Sequence, residues 1–156
     1  MPAVVGKKAP SFRLKDQNGK LVSLKDFAGN RLILYFYPRA FTPGCTTQAC
    51  DFRDSKRTLQ RAGFSVAGVS PDPVEKLADF RKEYKLSFPL LSDPDHKAAA
   101  AYGAWGKKMN YGREYEGLIR SAFVIDPAGK VERVYTNVRA KGHVAKITRD
   151  LLEADD

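Results

Sequence analysis

At 156 residues, 43% hydrophobic and 11% aromatic, the chain has a globular composition and enough length for one real core, read as a single domain over 1–156 with ends 1–5 and 154–156 expected to fray. No apolar run is long enough to cross a bilayer and no repeat or low-complexity linker interrupts the chain, which excludes a helical membrane span and a repeat array. A net charge of +9 raises nucleic acid as a partner, but the basic residues are dispersed and no recognition motif accompanies them. Even the stretch holding Arg133, Arg139, Lys141 and Lys146 is too sparse for a binding patch. A solvated basic surface that steers an acidic protein partner is the better reading, with no nucleic acid and no membrane involved.

The elements follow in chain order. Residues 1–8 lack the charged-then-apolar pattern of a secretory signal. With only two cysteines, this suggests a reducing cytoplasm, where a disulfide is transient and catalytic. Residues 12–24 read as a hairpin around Asp16-Gln17-Asn18-Gly19, with Asn-Gly as the turn signal. The continuous apolar run 32–37 is a strand buried on both faces. Pro38 and Pro43 punctuate a short loop. Thr42 is a good N-cap type and Pro43 suits the first helical position. The helix so begun runs to about Arg61, with Gly63 as its stop. Residues 64–70 form another buried strand, and Asp72 opens a helix to about Tyr84 with Val74, Leu77, Ala78, Arg81 and Tyr84 near one face. A short helix spans 95–102, a second hairpin joins 123–126 to 131–135 across Pro127-Ala128-Gly129, and a last helix covers 142–153 before an acidic tail. Strands alternating with helices predict an α/β sheet with covered faces, and the loop at 38–42 then lies at the carboxyl end of a strand, where such folds hold ligands.

Both cysteines sit in one helix. Cys45 falls in its first turn, where unpaired N–H groups and the positive end of the helix dipole favour thiolate over thiol. At 100° per residue Cys45, Ala49, Phe52 and Leu59 share a stripe facing the body of the protein. Cys50 lies about 140° away among Arg53, Arg57 and Arg61, and is expected to face solvent. Lys56 falls in the apolar stripe and fits only as a snorkelling stem. An ideal helix holds the two cysteine Cα atoms roughly 8.6 Å apart, whereas a disulfide needs about 7 Å or less. If that bond forms, the first turns must unwind, giving a reduced helical state and an oxidised, locally melted one. The plainer reading is a pair of inert core cysteines. Zinc would draw on His96 and His143, which are far along the chain and lack ligand spacing.

Pro38, Thr42 and Cys45 stand at the spacing of the peroxiredoxin active-site motif, and the chain resembles that family. Cys50 makes it similar to the Q-type branch, also called bacterioferritin comigratory protein. The likeness extends through 6–12, Asp16, Gly19, Leu24, 89–93, 102–106 and 117–120 before the strand at 123–126. Asp51, where the family often has glycine, and Ala122, where it often has a hydroxyl, depart from it, and Asp51 adds a charge that slows ionisation of Cys50.

The resemblance implies a thioredoxin-like fold: a central mixed β-sheet flanked by helices, with an N-terminal β-hairpin. It implies a thiol-dependent peroxidase that reduces hydrogen peroxide and organic hydroperoxides, with no metal or cofactor. Cys45 is then the peroxidatic nucleophile and Cys50 the resolving thiol, joined transiently as a Cys45–Cys50 disulfide that thioredoxin or a similar dithiol reduces. Thr42 holds the sulfur and a peroxide oxygen, with simple capping as its rival use. Arg120 stabilises negative charge, and Pro38 keeps water off the sulfur, though a proline there also merely ends a strand. Backbone N–H groups of Gly44 and Cys45 are further donors. Phe41 and Trp105 are candidate pocket walls, with core packing the stronger reading for either ring. An internal resolving thiol favours a monomer. Two other classes compete: a protein thiol–disulfide oxidoreductase, which a Cys-x-x-Cys would have favoured, and a basic interaction or chaperone-like module with incidental cysteines.

Overall fold

The computed structural model describes residues 3–110 and 112–154. Seven strands form one mixed sheet: β1 (Arg13–Lys15), β2 (Leu21–Ser23), β3 (Arg31–Phe36), β4 (Phe64–Ser70), β5 (Leu90–Ser92), β8 (Ser121–Ile125) and β9 (Val131–Tyr135), in the order β2-β1-β5-β4-β3-β8-β9. β3, β4 and β5 run parallel, while β8 and β9 on one side and β1 and β2 on the other are antiparallel to their neighbours. Helices α1 (Pro43–Arg61), α2 (Val74–Glu83), α3 (Lys97–Tyr102) and α4 (His143–Ala154) flank this sheet. A separate ribbon pairs β6 (Trp105–Asn110) with β7 (Arg113–Leu118).

The run 32–37 is apolar throughout because both sheet faces are covered. Ile33, Tyr35 and Tyr37 point into one core with Cys45, Phe52, Leu77, Phe80 and Ile147, while Leu32, Leu34 and Phe36 point into the other with Ala99, Tyr102 and Phe123. Val144, Ile147 and Leu151 of α4 recur at helical spacing and are all buried. Gly68 stands opposite Tyr35 across the β3–β4 ladder. A Cβ there would come within 2.9 Å of the tyrosine ring, so only glycine admits it.

Both hairpins form, through one repeated turn. In each, an aspartate amide (Asp16, Asp126) donates to a lysine carbonyl (Lys20, Lys130), and the carboxylate accepts the amides two and four residues on. The glycine at the fourth place takes positive φ, +79° at Gly19 and +89° at Gly129. The Asn-Gly pair therefore closes a longer Asp-anchored loop and not a two-residue turn. Three other expectations shift. Helix α2 starts at Val74 behind Pro73, and the Asp72 side chain does not cap it. Helix α3 starts at Lys97, with the buried Asp93 carboxylate accepting the Ala98 and Ala99 amides. Strands β5, β6 and β7 carried no readable signal: β5 has three residues, and β7 is exposed over most of its length, so neither alternates.

Of the ends expected to fray, residues 1, 2, 155 and 156 lie outside the described residues, and Ala3 donates its amide to the Tyr102 carbonyl. Among the described residues no helix is long and apolar enough to cross a membrane.

Candidate active site

The site begins where β3 stops. The Tyr37 amide still donates to Val69, and then Pro38, which has no amide, ends the ladder. The loop 38–42 turns the chain into α1. Phe41 takes φ +69°, unusual for an aromatic residue, with its ring 5.1 Å from Phe80 and 6.2 Å from Tyr84. Thr42 is the N-cap by its backbone (φ −76°, ψ 152°), and its carbonyl accepts the Thr46 amide. Its hydroxyl makes no capping bond and donates instead to the Arg39 carbonyl at 2.7 Å. Pro43 occupies the first helical position, as its fixed φ suits.

Cys45 in the first turn of α1 is 1% exposed, and Ala49, Phe52 and Leu59 are buried on the same stripe. Its Sγ accepts a hydrogen bond from Arg120 Nη2 at 3.1 Å. Arg120 lies immediately before β8, which pairs with β3, so the sheet itself carries the guanidinium to the helix mouth. The second guanidinium nitrogen, Nη1, donates to the fully buried Gln48 Oε1, one turn beyond Cys45 on the same helix. The Arg120 carbonyl accepts the Val138 amide. A Cβ placed on Gly44 would lie 3.3 Å from Arg120 Nη2 and 3.5 Å from Ala140 Cβ, so the missing side chain lets the guanidinium settle against the backbone.

The two thiols are free and differ in setting. Cys50 is half-buried where full exposure to solvent was expected, and Arg53, three residues on, donates to the Tyr84 carbonyl at 2.7 Å. Burial pushes the Cys50 thiol up; Arg53 opposes this, and Asp54 and Asp51 add to the rise. Lys56 escapes the apolar stripe by reaching the Ser87 carbonyl at 3.1 Å. Beneath the site, burial raises the Tyr35 phenol well above its ordinary range, with Tyr37 and Cys45 acting in the same sense and Arg120 against them.

Geometry thus brings together Gly44, Cys45 and Arg120, with Thr42 at the N-cap of the same helix and Pro38 just past the end of the strand before it. Trp105 is elsewhere: it stacks on His96 at 3.7 Å and packs against the opposite core, so it is no wall of this site. His143, at the start of α4, packs on Tyr135 at 5.7 Å. Burial, then Arg120 and Lys146, push its imidazole down to about 4. Gln48 went unrecognised in the sequence, although its position three residues past Cys45 puts it on the same helix face.

The comparisons bear on what such a site does. The AhpC/TSA family model matches residues 5–134. A Mycobacterium tuberculosis relative carrying a peroxiredoxin name is 56% identical over 146 residues, 94% of this chain and 93% of that protein. Peroxiredoxin Bcp of Bacillus subtilis is 42% identical over 156 residues, 100% of this chain and 99% of its own. Among solved structures, the Xanthomonas campestris bacterioferritin comigratory protein, studied for alkyl peroxide reduction, superposes with a TM-score of 0.90 at 30% identity, covering 98% of this chain and 100% of that one. Likeness so even, in sequence from end to end and in the thioredoxin-like arrangement of sheet and helices, leaves one assignment: the chain belongs to the AhpC/TSA family, beside the Bcp peroxiredoxins, and is a thiol-dependent peroxidase.

Proposed function

We propose that Cys45 is the peroxidatic nucleophile and Cys50 the resolving thiol of a single-domain peroxidase. One observation carries the reading: the Cys45 sulfur, in the first turn of α1, accepts a guanidinium N–H from Arg120 at 3.1 Å. A guanidinium hydrogen-bonded to a sulfur is placed to stabilise the negative charge that develops on an oxygen leaving beside it.

In the first step the Cys45 thiolate attacks one peroxide oxygen in line with the O–O bond. An S–O bond forms, the O–O bond breaks, and its electron pair leaves with the distal oxygen, which takes a proton to become water or an alcohol. Sulfur is oxidised by two electrons to the sulfenic acid as the peroxide is reduced. Arg120 follows the charge from sulfur to the leaving oxygen, and Gln48 holds its other arm. The Thr42 hydroxyl, with its proton engaged by Arg39, offers lone pairs to the O–H of the incoming hydroperoxide. The amides of Gly44 and Cys45, in the turn without intrahelical acceptors, add donors. Pro38 keeps water off the sulfur.

In the second step the Cys50 sulfur attacks the sulfenic sulfur, and water leaves as the disulfide forms. An intact α1 keeps these Cα atoms roughly 8.6 Å apart, so its first turns unwind for the bond to close. Thioredoxin, or a similar dithiol, then reduces the disulfide through a mixed disulfide. Because the resolving thiol is internal, the cycle runs in a monomer. The transient bond suits a reducing cytoplasm.

Stopped-flow mixing with hydrogen peroxide, read by mass spectrometry of the peptide holding both cysteines, tests this. Loss of one thiol and then of both is expected. Cys45→Ser abolishes turnover, while Cys50→Ser keeps the first oxidation and loses recycling by thioredoxin. A Cys50→Ser variant with full thioredoxin-coupled turnover would show that the resolver is another group.

A further inference from the structure

The loop 38–42 is held only partly from within, by the Thr42 hydroxyl on the Arg39 carbonyl. Phe41 sits in the left-handed region at φ +69°, a strained conformation for an aromatic residue. Something outside the loop must stabilise it. Ala40, next to Phe41 and 1% exposed, directs its amide at Asp72 Oδ2, 2.7 Å away. That distance is typical of a charge-assisted bond, and both ends are shielded from water.

Asp72 is only 7% exposed, and Ser70, Lys76 and Ser92 together fix it. The Ser70 hydroxyl donates to the same Oδ2 at 2.9 Å, and the Asp72 amide donates back to Ser70 Oγ at 3.3 Å. Lys76 pairs with Oδ1 at 3.2 Å, and the Ser92 hydroxyl donates to the Asp72 carbonyl at 2.6 Å. Ser70 ends β4 and Ser92 ends β5. The network therefore ties the carboxyl ends of two parallel strands to the loop that follows the third. An aspartate just before a helix usually caps it, but this one leaves α2 without a side-chain cap and gives its carboxylate to the loop instead. None of these residues belongs to α1.

We infer that Asp72 is a positioning residue of the peroxide reaction: by holding the Ala40 amide it sets the loop that presents Thr42 and Gly44 to the peroxide. This rests on Cys45 being the peroxidatic thiol. The tie lies outside α1, so it survives the unwinding that disulfide formation requires.

The test uses the full chain, rapid quenching and mass spectrometry to time sulfenic acid and disulfide separately. Asp72→Ala is expected to slow Cys45 oxidation by hydrogen peroxide about tenfold or more, the scale of a misplaced reacting group, without slowing the disulfide step that follows. Asp72→Asn, whose carbonyl oxygen can still accept the Ala40 amide, is expected to oxidise at close to the parental rate. Hydrogen exchange at Ala40 is expected to be slow in the parent and in Asp72→Asn, and fast in Asp72→Ala. Should Asp72→Ala fail to fold, Ser70→Ala decides: it leaves the carboxylate but loosens it, and is expected to slow the first step about threefold. An Asp72→Ala that oxidises at the parental rate, an Asp72→Asn as slow as it, a matched slowing of both steps, or an unaffected Ser70→Ala where that variant must decide, overturns the inference. A parent in which Cys45 ignores peroxide instead overturns the assignment of the nucleophile, whatever the Asp72 variants do.

Discussion

Arg120 spans two acceptors on one helix, Cys45 Sγ and Gln48 Oε1, and so is oriented before any peroxide arrives. Removing such a preset donor costs about 10²- to 10³-fold in rate. Arg120→Ala is expected to slow Cys45 oxidation on that scale, and Arg120→Lys to recover only part, because an ammonium lacks the planar fork that reaches both partners. Stopped-flow rates with hydrogen peroxide check both. His143 carries a pH consequence. Its folded pKa is pushed down to about 4, first by burial and then by Arg120 and Lys146, from an ordinary value near 6.5. Below the ordinary value the unfolded chain takes up the proton and the folded one does not. Stability is therefore full above about pH 6.5 and falls as pH drops toward 4, by on the order of 2 kcal/mol. Urea unfolding at pH 7.5 and 4.5 is expected to show a smaller acid loss in His143→Gln than in the parent. At this scale Cys45, Thr42 and Pro43 were legible because the cap, the proline and the thiol are adjacent in sequence. Arg120 was found only through the family pattern, since its partner is 75 residues away.

In the proposed cycle helix α1 is the element that changes. Its buried residues Phe52 and Leu59 anchor the later turns, while the turns between Pro43 and Cys50 are where the proposed disulfide would bring the two thiols together. Hydrogen exchange is expected to show protection lost over 43–50 on disulfide formation and retained at Phe52 and Leu59. Identical protection in both redox states would contradict unwinding. The Cys50 thiol is held above its ordinary value of about 8.5, chiefly by burial in the closed helix. Unwinding lifts that burial, so the closed form binds the proton more tightly and rising pH favours opening. Disulfide formation after the first oxidation is expected to accelerate as pH rises through that range. Asp51→Asn, which removes a charge acting against the thiolate, is expected to shift the acceleration to lower pH. Both ends of α1 were readable from Thr42, Pro43 and Gly63, whose preferences are local. The β6–β7 ribbon was not, because a largely exposed strand such as β7 needs no apolar alternation.

Over the whole molecule the sheet order sets who meets whom. β3 lies between β4 and β8, so the loop after β3 meets Asp72 beyond the carboxyl end of one neighbour, and the first turn of the helix that follows meets Arg120 at the start of the other. The net charge of +9 acts at this scale as well. An acidic dithiol protein would be steered toward such a surface, and screening sets in near a Debye length of about 8 Å at physiological salt. Raising salt is expected to slow the reductive half-reaction with an acidic thioredoxin and to leave oxidation by uncharged hydrogen peroxide unchanged. Equal slowing of both would count against steering.

The order of strands and helices apart from β5, β6 and β7, the start of α1 and the inward facing of Cys45 followed from the sequence alone, because caps, prolines and periodicity act between residues a few places apart. The half-buried setting of Cys50, the arrival of Arg120 at the sulfur and the tie from Asp72 to Ala40 were decided only in the tertiary structure. Each joins groups whose separation along the chain leaves no local signature, and each forms only once the parallel ladder of β3, β4 and β5 and the antiparallel addition of β8 have brought their ends to one edge.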